Sequence, residues 1–191
     1  MIVLGLDPGS AESALVAWDP IERRVRFRCK RFNGELADVL LERHAAAPDS
    51  VLVIERTKGY TMPLGKGDDA RRFFPQQVLD TAEWSGYFRR VGEELGLRVE
   101  ALDRRAVKLN LLGRASGTDA QVREALVDLI GPKGTKAAPG PTFGMSADLW
   151  AALAVAYVWH ELARGTLAAA PRSTIESGRE SPARAGDDRP F

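Results

Sequence analysis

Two wholly apolar runs in this chain each stop at an acid, and that pattern narrows what the chain can fold into. Val3-Leu4-Gly5-Leu6 ends at Asp7, and Val51-Leu52-Val53-Ile54 ends at Glu55. Short apolar runs bounded by turn residues are typical of strands buried on both faces, and Pro8-Gly9-Ser10 supplies the turn after the first. A third acid, Asp148, falls in the first turn of an alanine-rich apolar stretch that predicts a helix over 146–164, lying flat against a sheet. Taken singly, each acid has an ordinary role: Asp7 in a turn, Glu55 paired with a neighbour such as Arg56, Asp148 as a helix N-terminal residue. Together they are three carboxylates at the ends of separate buried elements. Burying several unpaired charges costs several kcal/mol each unless something positive neutralises them. A divalent cation does so, and oxygen-only ligands suit Mg²⁺ or Mn²⁺.

The rest of the chain reads as an α/β order. Strands are expected over 1–7, 13–18 and 24–32, the last from the alternation of charge with Val25, Phe27 and Cys29, giving an antiparallel meander. A helix over 34–47 precedes the strand that ends at Glu55. Residues 56–74, rich in glycine, proline and basic residues, read as a long surface loop. Then come a helix over 75–95, a strand over 97–102, and helices over 104–111 and 118–130, with Thr118-Asp119 as the cap of the last. The Gly/Pro/Lys-rich stretch 131–144 reads as mobile. From Pro171 onward there is almost nothing to bury, so a single domain over 1–168 with a disordered tail over 169–191 is expected. Three strands, helix, strand, helix, strand, helices makes a mixed sheet with helices on its faces.

Composition excludes several classes. With one cysteine, Cys29, and two histidines, His44 and His160, the chain lacks a Cys/His zinc set and cannot form an internal disulfide. No window is apolar enough for a membrane span, and the N-terminus is strand-like instead of signal-like, which predicts a cytoplasmic protein. The net charge of +1 leaves nucleic acid open, since clustering matters more than the total. Residues 56–74 are such a cluster: Arg56, Lys58, Arg71 and Arg72 are interleaved with Tyr60, Phe73 and Phe74. Aromatic rings stack on unpaired bases and cations hold phosphates, so these seven are candidate DNA contacts. Phe73 and Phe74 would equally serve to anchor the loop to the next helix.

These residues resemble a known family. Gly5-Leu6-Asp7-Pro8-Gly9-Ser10 looks like the first motif of RuvC-type Holliday junction resolvases, and Val53-Ile54-Glu55 like their second acidic strand. Val107-Lys108, Leu112-Gly113 and Gln121-Val122 resemble the family's lysine-glycine-glutamine-valine segment, and Asp148 to Ala156 its last helix. The chain departs from the bacterial pattern twice. Ala151 stands where an acid usually precedes the final alanine-leucine run, and Asp119 where many members carry a second lysine, a pattern closer to phage-encoded relatives.

The resemblance implies an RNase H-like mixed five-stranded sheet flanked by helices, and a structure-specific endonuclease cutting four-way DNA junctions with paired symmetric nicks. It implies two Mg²⁺ or Mn²⁺ ions per active site, held by Asp7, Glu55 and Asp148, with Lys108 beside the scissile phosphate. Asp119 is either a fourth active-site acid or simply a helix N-terminal residue. A two-fold homodimer is also implied, for which the helix carrying Val78, Leu79, Ala82, Tyr87 and Phe88 is the candidate surface. An RNase H-like nuclease acting on other branched DNA or RNA, or a junction-binding protein that does not cut, fits the same fold. An actin-like kinase shares the opening Asp-x-Gly but needs a second nucleotide-binding half that this chain is too short to hold.

Overall fold

Side-chain alternation along the first strand assigns one face of the sheet to each of two helix layers. The computed structural model describes residues 1–56, 59, 61–64 and 71–165. In β1 (Val3–Asp7), Leu4 and Leu6 point into one core, while Val3 belongs to the other. β1 pairs antiparallel with β2 (Glu12–Asp19), which pairs antiparallel with β3 (Arg24–Phe32). On its other side β1 runs parallel to β4 (Val51–Arg56), and β4 runs parallel to β7 (Arg98–Asp103). The order β3-β2-β1-β4-β7 is the RNase H-like mixed sheet.

One face is covered by α1 (Asn33–Ala46) and α2 (Gln76–Glu94), whose Leu36, Leu40 and Phe88 pack on Leu4, Leu6, Leu15, Leu52 and Ile54. The opposite face carries α5 (Leu149–Ala163), which is overlaid by α3 (Arg104–Leu112) and α4 (Asp119–Ile130) through Val107, Val122 and Leu126. Enclosed between sheet and helices, α5 is buried almost continuously from Leu149 to His160, as expected of a helix apolar all round. Its centre lies directly on β1: a Cβ built on Gly5 would collide with the Ala152 carbonyl oxygen and stand 2.8 Å from the Ala156 Cβ. A glycine on the strand and alanines on the helix bring the two backbones together.

Two loop expectations change. Within 56–74, β5 (Met62–Leu64) and β6 (Arg71–Phe73) form a two-stranded antiparallel ribbon, where the sequence pattern suggests a loop. The stretch 131–144 is tied down instead of free. Gly134 bridges Pro139, the Thr142 hydroxyl donates to the Gly131 carbonyl, and the Val25 amide donates to the Pro141 carbonyl, stitching the loop to β3. The last helix begins at Leu149, leaving Asp148 as its N-cap. The proposed tail over 169–191 lies outside the described residues. Among the described residues, no helix is long and apolar enough to cross a membrane.

At the far end of β2, Asp19 closes the turn into β3. It accepts from the Ile21 and Glu22 amides and pairs with Arg26 at 2.9 Å. Burial pushes its carboxyl up, but the Glu22 amide, the Arg26 side chain and the Ile21 amide outweigh this and hold it below the ordinary value.

Gly5→Ala is expected to destabilise the protein by about 1–3 kcal/mol through overpacking, measured by urea unfolding. Asp19→Ala should cost about 1–3 kcal/mol at neutral pH. A carboxyl with a lowered folded pKa stabilises above its unfolded value and loses that contribution as pH falls through the folded one. The gap between wild type and Asp19→Ala should therefore close on acidification below about pH 4.

Candidate active site

Strand parity puts two carboxylates side by side. Val51 and Val53 of β4 face the α5 layer, so Glu55 does too, and Val3, Gly5 and Asp7 share that face on β1. Because Leu6 registers with Ile54, the two acids emerge together at the C-terminal ends of adjacent parallel strands, where open α/β sheets place ligands. Glu55 is 5% exposed and hydrogen-bonds to Asp7. Burial, then the Glu55 charge and hydrogen bond, push Asp7 up to about 8. Burial raises Glu55 as well, opposed by the Asp7 hydrogen bond and by Arg104 and Lys108. Burial and the neighbouring carboxyl thus favour the protonated form of Asp7.

Arg104, the first residue of α3 immediately after β7, reaches Glu55 at 3.5 Å with one guanidinium nitrogen and Asp119 at 2.8 Å with the other. One turn on, Lys108 donates to the Gly117 carbonyl at 2.6 Å and stands 3.6 Å from Asp119. Asp119 is held below the ordinary carboxyl range, chiefly by its hydrogen bond from Arg104. Its place is fixed by the start of α4: the Thr118 side chain accepts from the Gln121 amide and the Gln121 side chain accepts from the Thr118 amide. Gln121, noted for its resemblance to a family motif, closes this capping box.

Asp148 sits across the same cavity, which has a volume of about 300 Å³ and is also lined by Asp7, Glu55, Lys108, Asp119 and Ala151. Its carboxylate is turned to Lys30 of β3 at 2.9 Å, and Lys30 also pairs with Glu12. Among the described residues no three Asp, Glu, His or Cys side chains converge as a ready-made ion cage. Asp7 and Glu55 still suit a divalent cation: they form a buried oxygen pair that retains a proton for want of positive charge. Asp148 would join them by releasing Lys30.

Of the expected DNA contacts, Arg56 lies at the rim of the site, 3.9 Å from Asp103. Phe74 is 51% exposed, so it does not anchor the loop by being buried. Arg71, Arg72 and Phe73 form β6, while Lys58 and Tyr60 lie outside the described residues. On α2, Val78 and Phe88 are buried in the protein's own core and cannot be contact residues of a dimer, whereas Leu79, Ala82 and Tyr87 are exposed. Arg104 and Lys30 were not picked out from the sequence. Arg104 was detectable from its place directly after Asp103 at the end of a parallel strand; Lys30 was not, because the contact depends on how β3 meets the start of α5.

Fold and site together define an RNase H-like protein with an acid pair at the C-terminal ends of its central parallel strands. The solved structures that this fold resembles include Thermus thermophilus RuvC bound to a Holliday junction substrate, at 21% identity over 89% of this chain and 99% of that one, with a TM-score of 0.63. A second Thermus thermophilus RuvC structure matches at 20% identity over 89% and 100% of the two chains, also with a TM-score of 0.63. No family model and no curated protein sequence matches the chain.

The proton held by Asp7 makes a testable link to stability. An acid whose folded pKa is raised stabilises the fold at low pH and loses that contribution as pH rises toward the folded value. In EDTA, the wild-type melting temperature should fall between about pH 4 and 8, and Asp7→Asn should flatten that decline and raise the melting temperature near pH 8. Adding Mg²⁺ or Mn²⁺ should stabilise wild type more than the variant.

Proposed function

We propose that the chain is a structure-specific endonuclease that resolves four-way DNA junctions by metal-dependent phosphodiester hydrolysis, with paired symmetric nicks. The observation that carries this reading is the Asp7–Glu55 pair, buried on a RuvC-like fold with Lys108 in the same cavity. The resemblance of the motifs around these residues, and a structural counterpart described in complex with a Holliday junction substrate, support the choice of substrate.

Asp7 and Glu55 would hold Mg²⁺ or Mn²⁺, two ions per site, with Asp148 completing the ligand set in exchange for its ion pair with Lys30. Such ions would supply an activated water and charge stabilisation for the leaving oxygen. Lys108, fixed by the Gly117 carbonyl, offsets charge developing on the scissile phosphate. Asp119, one of the candidate catalytic acids, is paired with Arg104 and Lys108 and positions those two cations beside the acid pair. Arg56 and Phe74, with Lys58, Tyr60, Arg71, Arg72 and Phe73, contact the junction beside the cut. A homodimer formed through the Leu79, Ala82 and Tyr87 face of α2 presents two such sites to a substrate with two strands to nick. The protein acts in the cytoplasm of a bacterium or a phage-infected host.

A second reading, a junction-binding protein that does not cut, is favoured by the Lys30–Asp148 ion pair together with Ala151.

A labelled synthetic four-way junction separates the two. Paired nicks near the crossover in Mg²⁺ or Mn²⁺, absent in EDTA and reduced at least 100-fold in Asp7→Asn, are expected for the nuclease. Tight, junction-selective binding with no cutting in either metal would establish the binding protein instead.

A further inference from the structure

The acid pair stands between two cavities of different charge. Both are lined by Asp7, Glu55, Arg104 and Lys108. The smaller adds the acids Asp119 and Asp148 and one cation, Arg123, so acids outnumber cations there. The larger, about 710 Å³, adds Arg56 and Arg105 and no further acid, with the hydroxyl groups of Thr81 and Ser116 on its wall. Neighbouring residues of α3 thus serve opposite sides. Arg104 is engaged by Glu55 and Asp119. Arg105 is exposed, lines the larger cavity, and has no hydrogen-bond or ion-pair partner among the described residues.

This asymmetry decides what the larger cavity attracts. The smaller side carries the excess of acid, while the other side offers an uncommitted guanidinium and a second arginine that stands 3.9 Å from Asp103. Guanidinium groups favour phosphate because their forked N–H donors match its oxygens, and a hydroxyl such as that of Ser116 adds a neutral donor. A ligand spanning both cavities needs one anionic group at the acid–cation seam and another farther along, which is the repeat of a nucleic-acid backbone.

We propose that the larger cavity is a seat for the backbone phosphate adjoining the one that is cut, gripped by Arg105 and Ser116, with Arg56 at its outer edge. The assignment rests on the nuclease reading above and adds to it a direction: the cut strand crosses the acid pair from the acid-lined cavity to the cation-lined one. Arg105 is a binding residue here, and its contribution is electrostatic.

The test is binding of a labelled four-way junction in EDTA across a salt series, using wild type, Arg105→Gln, Arg105→Lys, Ser116→Ala and the charge-matched control Arg24→Gln on the opposite edge strand. Each lost phosphate contact should make the slope of log affinity against log salt shallower by about 0.9. Arg105→Gln is expected to show that change with about five- to tenfold weaker binding at moderate salt and an unaltered melting temperature. Arg105→Lys should restore the slope, Ser116→Ala should weaken binding without changing it, and Arg24→Gln should match wild type. A wild-type slope in Arg105→Gln overturns the proposal and leaves the nuclease reading intact if the protein still cuts. Failure of wild type to bind junctions or other branched DNA overturns both.

Discussion

The close approach of α5 to β1 is the contact on which the rest of the molecule depends. With only hydrogen at Gly5 and methyl groups at Ala152 and Ala156, the helix seats on the strand without an intervening layer of side chains. That seating brings the N-cap of α5 to the end of β1 where Asp7 emerges, so the third acid lines the same cavity as the first two. It also leaves α5 so enclosed that α3 and α4 must pack over it, and those two helices carry Arg104, Lys108 and Asp119. A single helix–strand distance thus positions groups drawn from five elements.

The electrostatics follow from that geometry. Two carboxyls sharing a buried edge hold a proton that isolated carboxyls would have lost. The surrounding cations only partly offset them: Arg104 divides itself between Glu55 and Asp119, and Lys30 faces Asp148. Positive charge therefore surrounds the acid pair without entering it. Because burial holds that proton, the fold loses stability as rising pH removes it.

Much of this was legible in the sequence because it depends on local pattern. Apolar runs ending at Asp7 and Glu55 announce parallel strands whose ends meet, and the apolar character of 149–160 announces an enclosed helix. Thr118 marks the start of α4, and the structure adds Gln121 as its reciprocal partner. What stayed hidden depends on side-chain direction across elements. Neither the rotation of Asp148 toward Lys30 nor the forked reach of Arg104 has a periodic signature. The apolar residues of α2 could not be divided between core and surface until the helix axis was fixed, which then buried Val78 and Phe88 and exposed Leu79 and Tyr87. The ribbon of β5 and β6 was missed because three-residue strands carry too few positions to show alternation.

The order of the elements along the chain has a consequence for biosynthesis. β1, whose glycine face α5 covers, is made before every other described element, and α5, which brings Asp148, after them all. Chains emerge at about 5–20 residues per second, so residues 149–163 follow the last strand of the sheet by a few seconds. Only with the arrival of residues 149–163 can Asp148 stand across the cavity from Asp7 and Glu55, so the three acids come together late in synthesis.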